Sequence, residues 1–177
     1  MFGCNAWEWY PRHPEAFSAF DETMRSLSAM ITPAVTAGYD WSRFSVIADI
    51  GGGIGTQLAD ILTAHPTCQG ILWDQPSVVA GTIAHDRMKV MGGDFFKSVP
   101  AGADAYILRW ILHDWEKPEA ISILNNVREA MKPGSCLVVI EEVIPELPKP
   151  TFGMWLDPQV VPTASPISLI VGRPRSV

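Results

Sequence analysis

At 177 residues the chain is long enough for one domain with a real core, and 47% apolar against 18% charged residues makes it globular rather than disordered. A net charge of −6 argues against nucleic acid as a partner, and no unbroken apolar run is long enough to span a membrane. Cys4, Cys68 and Cys136 are scattered and have no histidines at ligand spacing, so they read as thiols of a reducing cytoplasm, not as disulfides or a zinc site.

The N-terminus has neither the basic start nor the apolar core of a signal peptide. Phe17, Phe20, Met24, Leu27 and Ile31 recur at spacings of three and four, which predicts a helix over 14–37 with Pro14 near its start and Pro33 interrupting or ending it. Strand and helix then alternate. Strands are expected at 45–50, 70–73, 88–91, 103–108 and 136–140, and helices at 56–64, 77–84 and 118–131. Such alternation implies right-handed crossovers and a mostly parallel α/β sheet. Residues 1–43 thus form a helical lead-in, 44–146 the α/β core and 147–177 a proline-rich tail. Residues 145–177 hold seven prolines, so this end of the chain is not expected to add a well-formed helix, although Ile167–Val171 can make one short strand.

The run Val46-Ile47-Ala48-Asp49-Ile50-Gly51-Gly52-Gly53-Ile54-Gly55 is the most informative stretch. A buried strand, a glycine turn and a helix start form the nucleotide-approach corner of an α/β domain. Glycine lets a ligand lie against the main chain and permits φ > 0. The spacing is G-x-G-x-G, without the last glycine of the dinucleotide fingerprint and without a P-loop lysine, which points to a nucleoside ligand such as S-adenosylmethionine.

Asp74 closes the second strand, where a carboxylate accepts hydrogen bonds from ribose hydroxyls; its alternative is a cap for the helix at 77–84. Asp94 follows the third strand and can accept from an adenine amino group while Phe95 covers the ring, or the two are a turn aspartate and a core phenylalanine. His113 leaves the fourth strand at the sheet's carboxyl edge and can remove a proton near neutral pH, or it is a structural histidine. Asp114 beside it can instead cap the helix near Pro118.

The blocks Ala48–Gly55, Trp73–Val79, Gly92–Phe96, Leu108–Trp115 and Pro133–Glu141, in this order, resemble the S-adenosylmethionine-dependent small-molecule O-methyltransferases of the plant caffeate and bacterial hydroxyneurosporene types. The resemblance covers about residues 2–157 and implies a class I methyltransferase Rossmann-like core. It implies that Gly51, Gly53 and their turn hold the methionine end of the cofactor, with Asp74 on the ribose, Asp94 and Phe95 on the adenine, and Arg109 as a basic cofactor contact. His113 matches the catalytic base, and Glu141 matches a carboxylate flanking it, with a strand-end acid as the alternative. Phe20 and Met24 match positions lining the pocket for a small hydroxyl-bearing acceptor, although a Phe/Met stripe is also ordinary core.

Members of that family are usually homodimers of about twice this length, with a winged-helix dimerisation domain that has no counterpart in this chain. After Asp157 the resemblance stops: the family's next helix, its last two strands and a second carboxylate behind the base have no match in 158–177. The expectation is therefore an incomplete sheet of about five strands, with an open edge on the fifth, and weak or no turnover. The rival readings are an inactive fragment that binds cofactor or a full-length homologue and, more remotely, an NAD(P)-dependent oxidoreductase sharing the glycine corner.

Overall fold

The computed structural model describes Trp9, residues 12–142 and residues 167–172. The chain divides into two compact units, Met1–Asp40 and Trp41–Val177. The first contains helix α1, Pro14–Gly38. Pro33 lies inside α1 and does not end it. Only one backbone N–H is lost there, and the strong helix formers Ala34 and Ala37 follow it.

In the second unit, β1 (Val46–Ile50), α2 (Thr56–Ala64), β2 (Gln69–Asp74), α3 (Pro76–Val79), β3 (Met88–Gly92), β4 (Ala105–Arg109), α4 (Lys117–Ala130), β5 (Cys136–Glu142) and β6 (Ile167–Gly172) follow in chain order. The sheet order is β3-β2-β1-β4-β5-β6. The first five strands are parallel, and β6 runs antiparallel to β5. The fold class is thus the α/β Rossmann-like sheet expected from the alternation of elements.

The expected open edge on β5 is not found, because β6 pairs along it from Leu137↔Gly172 to Glu142↔Ile167. The prolines that make the tail look irregular stand outside this run, with Pro166 before it and Pro174 after it. Between them Ile167, Ile170 and Val171 have the β-branched side chains that favour extended backbone. The helix expected at 77–84 shortens to four residues. Val78, Val79 and the nearby Gly81 propagate a helix poorly, and Gly81 and Thr82 turn back onto the carbonyls of Val78 and Val79.

Successive strand residues face opposite sides of the sheet. Ala48, Ile50, Tyr106 and Leu108 pack with Ile123 and Val127 of α4. On the other face, the backbone of Gly70 approaches Leu58 and Leu62 of α2 closely; an added Cβ would lie 2.8 Å from Leu62. At the amino edge, the Asp104 carboxylate accepts the N–H groups of Ser45 and Val46 and pairs with Lys132 at 2.6 Å. That leaves the carboxyl edge of the central strands β1, β2 and β4 to the glycine turn and the acids and base beside it.

Candidate active site

The glycine turn leaves β1 and is tied to the end of β2, where the N–H of Gly51 donates to the Trp73 carbonyl at 2.7 Å. Gly51, Gly53 and Gly55 all have positive φ, a region that strains residues with a Cβ. At Gly53 an added Cβ would meet nothing within 4 Å, so open space stands over the turn. At Gly52 it would lie 2.6 Å from the Asp49 carboxylate, so the turn is folded directly over that acid.

Asp74 does not cap α3, whose N-cap is Gln75. Its carboxylate accepts from the Gly53 N–H at 2.8 Å and the Gln75 N–H at 2.6 Å, joining β2 to the glycine turn. Burial raises its pKa, opposed by the hydrogen bonds from Gly53 and Gln75. Asp94 does the work of a turn residue, accepting the Phe96 N–H at 2.9 Å, while one carboxylate oxygen stays within 3.4 Å of the Lys97 ammonium. Phe95 belongs to an aromatic group that sequence reasoning did not assemble: Phe96 and Trp115 stand edge-on to it at 5.0 and 5.9 Å. The signal was present in the order Phe95-Phe96 and Trp115, but only folding brings the two loops together.

Arg109 ends β4, two residues past Ile107, the register partner of Asp49, so Asp49 and Arg109 project to the same face. Its Nη1 donates to Gln57 Oε1 of α2 at 2.7 Å, and the guanidinium lies 5.0 Å from the Trp110 ring. Burial lowers the Arg109 pKa and Asp49 opposes the shift. Trp110 has φ +54°, an outlier for an aromatic residue, at the point where the chain leaves β4 for the base. Ile111, also missed in the sequence, lies over Gly51 where a Cβ would be.

His113 sits in the short 3-10 turn Leu112–Asp114. Its Nδ1 is 2.7 Å from Glu141 Oε2, while Glu141 Oε1 accepts the N–H groups of Ile111 and Leu112 at 3.0 and 2.9 Å. Glu141, at the end of β5, therefore holds both the imidazole and the turn that carries it. Asp114 Oδ1 lies 3.4 Å from Nε2. Asp114 is not the cap of α4; Glu116 takes that place, its N–H bonded to the Glu119 carboxylate at 3.1 Å. The hydrogen bond to Glu141 raises the His113 pKa, burial opposes it, and the charges of Glu141 and Asp114 add to the rise. With the proton on Nδ1, Nε2 is left to accept a second one.

Gly51, Gly53, Asp74, Arg109, His113 and Glu141 are thus gathered at the carboxyl edge of β1, β2, β4 and β5, and Asp94 and Phe95 follow β3. Phe20 and Met24 lie on α1 of the N-terminal unit, both half-buried.

The pattern of the O-methyltransferase domain matches residues 1–157. The chain belongs to the O-methyltransferase domain family. Within that family it is 36% identical to phenazine O-methyltransferase PhzM of Lysobacter antibioticus over 208 residues, covering 98% of this chain and 61% of the relative. It is 37% identical to the mitomycin biosynthesis 6-O-methyltransferase of Streptomyces lavendulae, covering 82% of this chain and 44% of that one. Among solved structures, that of LaPhzM superposes with TM-score 0.80 at 41% identity, over 88% of this chain and 49% of the other. NcsB1, solved with S-adenosylmethionine and 2-hydroxy-5-methyl naphthoic acid, superposes with TM-score 0.72 at 33% identity, over 80% of this chain and 46% of the other. The chain spans about half the length of the relatives it matches.

The PhzM alignment runs over 208 positions while the chain has 177 residues, so at least 31 of those positions have no residue here. With 98% of the chain included, at most about four residues fall outside it, and β6 is therefore aligned with the relative. The family match ends at Asp157, where the resemblance in sequence also stops, while the alignment with PhzM extends over the strand that pairs with β5.

Proposed function

We propose that this domain transfers a methyl group from S-adenosylmethionine to a hydroxyl of a small aromatic or enolic molecule, with His113 as general base. The observation that carries the reading is the His113–Glu141 pair at 2.7 Å, on a turn whose Ile111 lies against Gly51. The turn suits the cofactor: open space over Gly53 admits a ligand against the main chain, and Asp74 lies beside it to accept ribose hydroxyls.

When bound, S-adenosylmethionine supplies an electrophilic methyl group on a sulfonium centre. Gly51 and Gly53 would receive its amino-acid end, with Arg109 as counter-charge, and Asp94 with Phe95 would receive the adenine. Trp115, edge-on to Phe95, would close the aromatic wall. Glu141 holds the Nδ1 proton of His113, so that Nε2 takes the proton of the acceptor hydroxyl. Asp114, 3.4 Å from Nε2, then stabilises the imidazolium. Because the His113 pKa is raised, the base is neutral only above its ordinary range, and turnover should rise with pH through that midpoint. Phe20 and Met24 are proposed to line the acceptor pocket.

A hydroxylated aromatic acceptor accords with the names of the relatives. One relative, 38% identical, is an 8-amino-8-demethylriboflavin N,N-dimethyltransferase, so an aromatic amine belongs in any acceptor panel. The family match removes the nicotinamide reading. The chain covers 61% of its relative, and the second reading is a catalytically inactive fragment that binds cofactor or a full-length homologue. No helix among the described residues is long and apolar enough to cross a membrane; a cytoplasmic location is proposed from cysteine usage.

The test is methyl transfer from labelled S-adenosylmethionine to a panel of naphthols, hydroxynaphthoic acids and aminoarenes, by the chain and by His113→Ala. Transfer that His113→Ala abolishes supports the proposal; cofactor binding with no transfer to any acceptor supports the second reading; transfer equal in both proteins refutes His113 as base.

A further inference from the structure

The strand that delivers the base ends in a reversal of its backbone. In a continuing strand the N–H groups of successive residues point to opposite edges, so no single oxygen takes two in a row. The N–H of Trp110 still extends the ladder, donating to the Ile140 carbonyl of β5 at 3.0 Å. The next two, from Ile111 and Leu112, both turn onto Glu141 Oε1 at 3.0 and 2.9 Å. The change happens at Trp110, the one non-glycine residue with positive φ among the described residues, at +54°. Ile111 follows with φ −111° and ψ −51°, in the right-handed region. Neighbouring residues of opposite hand turn their N–H groups inward on one point, a concavity that holds an anion. Glycine would take the left-handed region freely, whereas a Cβ makes it costly, so the surroundings must impose it. One such support is the Arg109 guanidinium, which lies over the Trp110 indole, 5.0 Å from its centre.

We propose that Trp110 is a positioning residue for the base: its left-handed backbone aims the N–H groups of Ile111 and Leu112 at one oxygen of Glu141, which leaves the other oxygen on His113 Nδ1. The proposal rests on the reading of His113 as base and adds the residue that sets its geometry. Held by two N–H groups, the Glu141 carboxylate has no freedom to swing off the imidazole. A residue at 110 that cannot take positive φ opens the concavity, frees Glu141 and leaves the Nδ1 proton unheld.

The experiment follows the His113 ring by heteronuclear NMR, and hydrogen exchange at Ile111 and Leu112, in the ligand-free chain, Trp110→Gly and Trp110→Val. In the unaltered chain the Nδ1 proton should give a resolved resonance, and both amides should exchange at least about tenfold more slowly than in an open chain. Trp110→Gly, which takes positive φ without strain, should keep both signals. Trp110→Val, whose β-branched side chain is excluded from that region, should lose the resonance and the protection. Its His113 should also titrate nearer to an ordinary histidine, the rise due to Glu141 being lost. Variants that both keep the signals, or both lose them, overturn the proposal. Should Trp110→Val not fold, signals lost in Trp110→Gly, or open-chain exchange at both amides of the unaltered chain, overturn it equally, and their retention supports it. None of these readouts needs cofactor or acceptor. A chain that transfers no methyl group therefore counts against His113 as base, while the His113 resonance still decides whether Trp110 sets the turn.

Discussion

Glu141→Gln separates the two jobs of Glu141. Gln keeps an oxygen for the N–H groups of Ile111 and Leu112, so the turn carrying His113 persists. What changes is the partner of Nδ1, now an amide N–H₂ that cannot accept its proton. The imidazole must then carry its proton on Nε2, where a base needs a lone pair, and methyl transfer should fall by roughly 10²–10⁴-fold. Stability gives a second readout. A hydrogen bond between charged groups contributes ~1.5–3 kcal/mol. The His113 side chain is 54% exposed and Glu141 13%, and screening by solvent reduces the loss to about 1 kcal/mol. For a chain of this size that lowers Tm by about 3 °C.

The pH dependence has a definite sign. The folded pKa of His113 is raised, so the pair's contribution is fully present below the unfolded value of 6.5 and is lost as pH rises through the folded value. Melting at pH 6 and pH 9 therefore tests the pair directly: Glu141→Gln should be less stable than the parent at pH 6 and nearly equal to it at pH 9. A Tm difference of the same size at both values, with His113 titrating alike in the two proteins by proton NMR, would refute the reasoning.

Two glycine substitutions in the turn should fail for different reasons. Gly53→Ala meets no neighbour but takes φ +62°, which costs about 1 kcal/mol in urea denaturation. Gly52→Ala places its Cβ 2.6 Å from both the Asp49 carboxylate and Leu72, so it should cost about 2–3 kcal/mol and weaken cofactor binding as well. Asp104→Asn tests the amino edge. Burial pushes the Asp104 pKa up, but Lys132 and the N–H groups of Val46 and Ser45 outweigh it and hold the pKa below the usual range. The carboxylate's contribution is therefore present above the unfolded value and lost as pH falls through the folded one. The variant should lose about 1 kcal/mol at pH 7 and progressively less in acid.

The corner made by β1, the glycine turn and α2 was legible because strand period, glycine placement and helix period all change within a few residues. Where local signals disagreed, the sequence was a poorer guide. Pro33 reads as an interruption or an end, yet α1 passes through it to Gly38, one residue beyond the span the apolar spacing predicts. The helix expected at 77–84 contains four β-branched residues, Val78, Val79, Thr82 and Ile83, together with Gly81. The short strand expected in the tail at Ile167–Val171 is found at Ile167–Gly172, but nothing in the sequence showed that it would pair along β5. At the site, Asp74 was found as an acid at a strand end and Glu141 through the family resemblance as a carboxylate flanking His113, but the backbone N–H groups they accept, from Gly53, Gln75, Ile111 and Leu112, were not, because such bonds form only once the turns fold back on the strand ends. Asp49 was visible only as the last polar residue of a strand. Its burial and its place under Gly52, where Leu72 of β2 also lies, are set only once a later strand arrives. Trp115 and Ile111 were missed for the same reason, since each acts on a loop distant in sequence.

The central claim, a preformed cofactor site at the glycine turn, is tested most directly by calorimetric titration of the chain with S-adenosylmethionine beside Asp74→Ala. The account predicts saturable one-to-one binding by the chain and at least tenfold weaker binding by a folded Asp74→Ala. A folded chain that binds no S-adenosylmethionine, or an Asp74→Ala that binds it as tightly as the parent, would contradict it.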